Sequence, residues 1–240
     1  MLTDRKKWFV RGMRHGIPIM LGYFSVSFGF GVLCIQKNLS TLAAVGISVT
    51  NLTSAGQVAG VEVIAASGSL IEMILCQLVI NLRYSLMSLS LSQKLDPSFS
   101  LMHRLFAGYG VTDEIFAVAS AQTEPLTPAY MYGLILTPFL GWSSGTLLGA
   151  LAGDIMPASV TAALSLMLYG MFMAIIVPPA KKNSRVLFAV LIAAALSVVM
   201  HYCLPMISGG FAIIIAAVIA SVTGALFFPV TDENKGEEKK

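Results

Sequence analysis

The chain has 240 residues, a formal net charge of +3, 56% hydrophobic residues and only 11% charged ones. A soluble domain carries about a quarter charged residues, so a fold of this size would expose apolar area that only lipid can cover. Composition therefore excludes an ordinary water-soluble enzyme, a disordered chain and a collagen-like one.

Residues 1–16 contain Arg5, Lys6, Lys7, Arg11 and Arg14, a basic head that reads as a cytoplasmic anchor under the positive-inside rule. The apolar segment 17–35 follows. It is longer than a signal-peptide core and no small-x-small cleavage site comes after it, so a retained first membrane helix is expected. Further apolar runs long enough to span a bilayer as helices lie at 70–92, 129–150, 159–178, 186–204 and 210–228. They are continuous and do not alternate with period two, which argues against a β-barrel. Stretches 41–66 and 105–122 are less apolar, rich in Gly, Ser, Thr and Asn, and carry acids. Backbone that is not helical survives at membrane depth only inside protein or along a cavity, so both are expected as broken or re-entrant helices. Residues 230–240 form a charged tail. The expectation is an all-α polytopic membrane bundle of six to eight segments, with a single transmembrane domain at 17–229.

Loop charge constrains the topology. Lys181, Lys182 and Arg185 form the second dense basic loop, which should lie on the same side as the head. An even number of crossings then separates them. Two re-entrant stretches give six crossings in total, and two full crossings give eight; both place the N- and C-termini in the cytoplasm. Loop 93–104, with Lys94, His103 and Arg104 against Asp96, mildly favours six. A loose echo between Gly22–Gly31 and Gly141–Gly149 hints at an internal repeat, although small residues in membrane helices also serve packing. Cys34, Cys76 and Cys203 lie in apolar runs without paired spacing and read as packing groups. The three histidines are isolated, so no metal site, cofactor or catalytic residue is expected.

Between Ile17 and Pro229 there are seven basic and seven acidic residues. A charge within a span is costly, so its default reading is functional or paired. Arg83 lies near the centre of 70–92, in Asn81-Leu-Arg-Tyr-Ser85. Its guanidinium suits a substrate carboxylate; a structural partner such as Glu72, Asp113 or Glu114 is the alternative. Glu72 stands about 16 Å away along the same helix, too far for a direct pair. The second constellation, Asn51-Leu-Thr-Ser-Ala-Gly-Gln57, offers residues that compete with helical hydrogen bonds. A break here would free amides at a half-helix start to hold a carboxylate, with Asn51, Ser54, Gly56, Gln57 and Asn81 as candidate binding residues beside Arg83. Packing by small polar residues is the plainer reading. The third, Gly108-Tyr-Gly-Val-Thr-Asp-Glu-Ile-Phe116, reads as a helix start capped by Thr112. Asp113, Glu114 and Glu62 are candidates for a coupling proton or an ion pair; each could equally sit at a solvated helix end.

These motifs occur in the order seen in a known family. The head with Gly16-Ile-Pro-Ile and Gly22…Phe28-Gly-Phe-Gly31, then Thr53-Ser-Ala-Gly-Gln57, Asn81-Leu-Arg-Tyr-Ser85 and Thr112-Asp-Glu-Ile-Phe116, resembles the AzlC family. That family comprises the large subunits of branched-chain amino acid exporters linked to azaleucine resistance. The matches cover about the first half of the chain. One departure is that Gly56 directly precedes Gln57 and Val58 stands where the family often has Phe. The resemblance implies export of Leu, Ile, Val and sometimes Met across a bacterial inner membrane, driven by the proton-motive force. It also implies a small membrane partner of the AzlD type, and no nucleic acid or cofactor. A carrier or channel for another small solute, or an intramembrane enzyme or assembly subunit, are the competing readings.

Overall fold

The computed structural model describes residues 2–153, 155–157, 159–160, 170, 173 and 176–228. Among them nine helices are delimited: α1 (Leu2–Gln36), α2 (Thr41–Thr50), α3 (Ser54–Ala65), α4 (Leu70–Ser92), α5 (Leu101–Tyr109), α6 (Asp113–Ser120), α7 (Pro128–Gly153), α8 (Ser184–Cys203) and α9 (Gly209–Phe227). The β pairing among the described residues is an isolated parallel bridge between Leu95 and Leu126. The protein is thus a helical polytopic membrane bundle. Asp4–Gln36 within α1, and α4, α7, α8 and α9, are long and apolar enough to cross a membrane. The expected span 159–178 lies for the most part outside the described residues. Two compact units divide the chain, Met1–Met171 and Phe172–Lys240.

The first unit is built on α1 and α7. The basic head is the first turns of α1 itself, a continuous helix of 35 residues. Gly133 lies against the Phe9 carbonyl, Gly141 against Met20, Gly145 against Phe24 and Gly149 against Phe28. Both helices therefore run in the same direction. At Gly145 and Gly149 a Cβ would strike the backbone of α1; the Gly-xxx-Gly-xxx-Gly spacing from Gly141 is what lets two membrane helices touch. The echo noted in the sequence meets in this seam: Gly31 abuts the Thr146 carbonyl, whereas Gly22 meets nothing within 4 Å among the described residues.

Since α1 and α7 are parallel, the segments between them must make an odd number of crossings. Contacts decide which. From the far end of α1, α2 descends until Ser48 meets Thr146 at 2.8 Å and Leu52 packs beside Tyr23 and Trp142. Then α3 climbs back, antiparallel to α4, and Glu62 reaches Lys37 just past the α1 terminus, at 2.8 Å. Crossing the bundle, α4 ends where Lys94 Nζ donates to the Ser120 carbonyl. From that head side α5 rises, beginning near His103, which bonds Tyr132 Oη at 2.6 Å. It breaks at 110–112, and α6 returns to a loop whose Glu124 pairs with Arg11 at 2.7 Å. Stretches 41–66 and 105–122 are therefore re-entrant hairpins that enter from opposite ends. The likeness between the two halves of this unit resides in these hairpins, each broken over three residues and resuming after a threonine.

Local chemistry sets the ends. Ser40, Ser69, Ser100 and Thr112 each accept a first-turn N–H with the side-chain oxygen, closing α2, α4, α5 and α6 at their starts. In the loop before α5, Asp96 accepts the Ser98 N–H at 2.9 Å. Its hydrogen bonds from Ser98 hold that carboxyl below the ordinary aspartate range.

In the second unit α8 and α9 form an antiparallel pair. Phe188 near the start of α8 makes edge contacts with Phe227 and Phe228, at 5.7 and 5.4 Å between centroids. The Arg185 guanidinium lies over Phe228 at 5.7 Å.

Candidate functional site

The two hairpin tips meet at the level of Tyr23 and Trp142. Tyr109 Oη, at the end of α5, donates to the Val49 carbonyl at the end of α2. Tyr23 Oη lies 2.7 Å from Thr112 Oγ1 and 2.5 Å from Glu114 Oε2. A phenol has one proton to give. It goes to the carboxylate, and the threonine hydroxyl donates back to Tyr23. The Tyr23 ring stands edge-on to Trp142 at 5.3 Å, and Trp142, 1% exposed, donates its indole N–H to Gln57 Oε1 at 3.1 Å. The first tip is thereby joined to the second through side chains of α1 and α7.

Around the first tip the amides form two wired chains. Gln57 Nε2 donates to the Asn51 carbonyl, while Asn51 Oδ1 accepts the Thr53 N–H at 2.9 Å. On the other side Asn81 Nδ2 donates to Gln77 Oε1 at 3.0 Å, and Gln77 Nε2 donates to the Gly56 carbonyl at 2.7 Å. Gly56 is closely approached by side chains: a Cβ there would meet Thr53 Oγ1 and sit 2.7 Å from Gln77 Oε1, so both side chains would have to shift. Thr53 occupies the N-cap position of α3 but makes no capping bond. Among the described residues its Oγ1 and Asn81 Oδ1 are buried without a hydrogen-bond partner. An unmet buried polar group costs about 1–3 kcal/mol, so this tip holds unspent hydrogen-bonding capacity. Ser54 begins α3, at the turn whose first amides have no intrahelical acceptor.

The charged candidates are placed differently. Arg83 Nη1 meets both oxygens of Asp113, at 3.1 and 2.9 Å, and its guanidinium lies over the Tyr84 ring at 4.9 Å. Of the partners the sequence offered, the structure pairs Arg83 with Asp113. Glu114 is engaged by Tyr23. Glu62 is not brought to Arg83; it stands at the far end with Lys37. Thus Asn51, Gly56, Gln57 and Asn81 converge on one tip, Asp113 and Glu114 on the other, and Glu62 on neither.

Sequence reasoning missed Tyr23, Gln77 and Trp142. Gln77 had a signal, a lone amide one turn before Asn81 in an apolar helix. Trp142 lay within the glycine echo and drew no notice. A cavity of about 180 Å³ opens on the head side of the second tip, lined by Leu91, Leu95, Ala107, Val111, Met131 and several polar neighbours. Among the described residues no group of His, Cys, Asp and Glu could hold a metal ion.

The AzlC signature, described as "AzlC protein", matches residues 18–156. This span contains both hairpins and the part of the seam from Met20 to Gly149. The chain is similar to an "Uncharacterized membrane protein" of Archaeoglobus fulgidus, 32% identical over 182 residues, covering 74% of this chain and 78% of the relative. It is also similar to "Inner membrane protein YgaZ" of Escherichia coli, 26% identical over 205 residues and covering 82% and 83% of the two chains. An "Uncharacterized membrane protein" of Helicobacter pylori is 28% identical over 152 residues, with 62% and 65% covered. No solved structure matches. With the signature spanning more than half of the sequence and the archaeal membrane protein 32% identical over 74% of this chain, the chain is a membrane protein of the AzlC family.

Proposed function

We propose that this protein is the large subunit of a secondary active transporter that exports branched-chain amino acids, Leu, Ile, Val and Met among them, across a bacterial inner membrane. The proton-motive force drives it, a small AzlD-type membrane subunit accompanies it, both termini are cytoplasmic, and it is not an enzyme. The observation that carries this reading is the meeting of two re-entrant hairpins at mid-depth, where a half-helix start without a side-chain cap faces buried amides. Broken helices near the midplane are where many carriers bind their substrate. Because Arg83 is committed to Asp113, the first-turn amides of α3 at Ser54, Ala55 and Gly56 receive the carboxylate, favoured by the helix dipole. Asp113 and Glu114 carry the coupling proton, since each sits in a pair that protonation would open.

Efflux of leucine from cells loaded with a leucine dipeptide tests the proposal. It is measured with this chain alone, with the small partner, and with the gradient collapsed. Gradient-dependent efflux that needs both subunits is the expected result; no efflux in any arm overturns it. A carrier or channel for another small neutral solute is the second reading, favoured by the absence of an uncommitted charge among the described residues at the first tip.

A further inference from the structure

We propose that Thr53 Oγ1 and Asn81 Oδ1 form an acceptor pair that receives the ammonium group of an amino substrate. This rests on the transport of amino solutes and assigns the residues that hold one end of them. Both oxygens are buried and have no partner among the described residues, and their side chains border Gly56, where a Cβ would meet Thr53 Oγ1 and lie 3.2 Å from the Asn81 amide at Nδ2. The amide of Asn81 is oriented by its own donor: Nδ2 is spent on Gln77 Oε1, and Gln77 is in turn fixed on the Gly56 carbonyl. What remains free at Asn81 is an oxygen that can only accept.

The chemical class of the ligand follows. An anion finds no use for an amide oxygen, whereas a primary ammonium brings three donors. The three candidate carboxylates named from the sequence are engaged: Asp113 by Arg83, Glu114 by Tyr23 and Glu62 by Lys37. Neutral oxygens hold an ammonium without locking it, as release on the other side of a membrane requires. Gln77 is a positioning residue in this arrangement, since it acts through Asn81.

The test uses the full chain in lipid nanodiscs, with Trp8→Phe leaving Trp142 as the one remaining indole of two. Trp142 bonds Gln57 beside the site, so its emission reports occupancy. The probes are leucine, 3-methylbutylamine (ammonium without carboxylate) and 4-methylpentanoate (carboxylate without ammonium). Thr53→Val and Asn81→Leu should weaken leucine and the amine about 10- to 100-fold, the worth of hydrogen bonds to a charged group, and leave the carboxylate probe unchanged. Thr53→Ser, which keeps the hydroxyl, should bind as the parent does and so separates a lost contact from a misfolded tip. Parent-like leucine binding by both Thr53→Val and Asn81→Leu would overturn the pair while leaving amino acid transport standing; the oxygens would then hold only water. Equal losses for the amine and the carboxylate probe would also overturn it. If the parent binds the amine in a Thr53-dependent way but not leucine, the acceptor pair stands and the amino acid reading falls. If it binds neither, both fall.

Discussion

The Lys37 ammonium stands 2.8 Å from the Glu62 carboxylate, so the chain that leaves α1 is back at the same level 25 residues later. A stretch that crossed the bundle once could not make this contact. Asn38 and Ser67, which follow the ends of α1 and α3, both take positive φ angles of 61° and 53°, marking two chain reversals on one side. In a background lacking Cys34, Cys76 and Cys203, single cysteines at Leu39 and Ala66 should react with an impermeant maleimide from the same face of oriented vesicles. A cysteine at Ser98, in the loop before α5, should react from the other face. Labelling of Ala66 together with Ser98 would mean that 41–66 crosses.

Arg83 and Asp113 couple α4 to the start of α6. Arg83→Gln leaves a partly buried carboxylate alone and should abolish transport while membrane insertion continues, because a charge is removed and none added. Arg83→Gln with Asp113→Asn removes both charges and should recover stability, with a coupling of about 0.5–3 kcal/mol in a double-mutant cycle. Thermal unfolding in detergent supplies that coupling. A double variant no more stable than Arg83→Gln would show that the guanidinium serves something other than Asp113.

The α1–α7 seam makes a contrasting pair of glycine substitutions informative. Gly149→Ala drives a methyl into the Phe28 carbonyl, whereas at Gly22 no described residue lies within 4 Å of an added methyl. Overpacking costs about 1–3 kcal/mol, so Gly149→Ala should lower the melting temperature. Gly22→Ala should leave it unchanged or raise it slightly, since alanine favours the helix by about 1 kcal/mol. Equal effects at the two positions would remove the argument that the seam depends on backbone contact.

Tyr23 holds the second tip through Thr112 and Glu114. Tyr23→Phe keeps the ring against Trp142 and removes only the hydroxyl. A hydrogen bond to a charged group contributes about 1.5–3 kcal/mol, so this variant should be destabilised by that order. Glu114→Gln should shift the pH dependence of efflux if this carboxylate carries the proton. An unchanged pH profile in Glu114→Gln would leave Asp113 as the carrier.

The breaks at Asn51–Thr53 and Gly110–Thr112 were legible in the sequence because their chemistry is local. Asn, Gly and Thr weaken a helix wherever they stand, and acids at membrane depth demand a reason. The partner of Arg83 was narrowed to a few acids and no further, since Glu72 could be dismissed by helical rise but Asp113 and Glu114 differ only in direction. Re-entrance itself rests on contacts between residues far apart in sequence, such as Lys37 with Glu62, which no spacing rule reports. The Gly141–Gly149 pattern was visible as small-residue spacing, yet its use against a parallel α1 depends on which helix lies opposite. Gln77 and Trp142 matter through the same kind of contact: each bonds a group of the first tip far away in sequence, the Gly56 carbonyl and Gln57 Oε1.

The parallel seam also sets a schedule for biosynthesis. The helix α1 is made first, but the glycine face that fits it ends at Gly153 of α7. At synthesis rates of about 5–20 residues per second, α1 waits roughly 6–23 s with that side bare while both hairpins are laid down. Until then its contact surface is available to lipid, to another nascent chain or to an insertase. The order of assembly is thus a closing one: α7 locks α1, and the hairpin tips are enclosed only when it arrives.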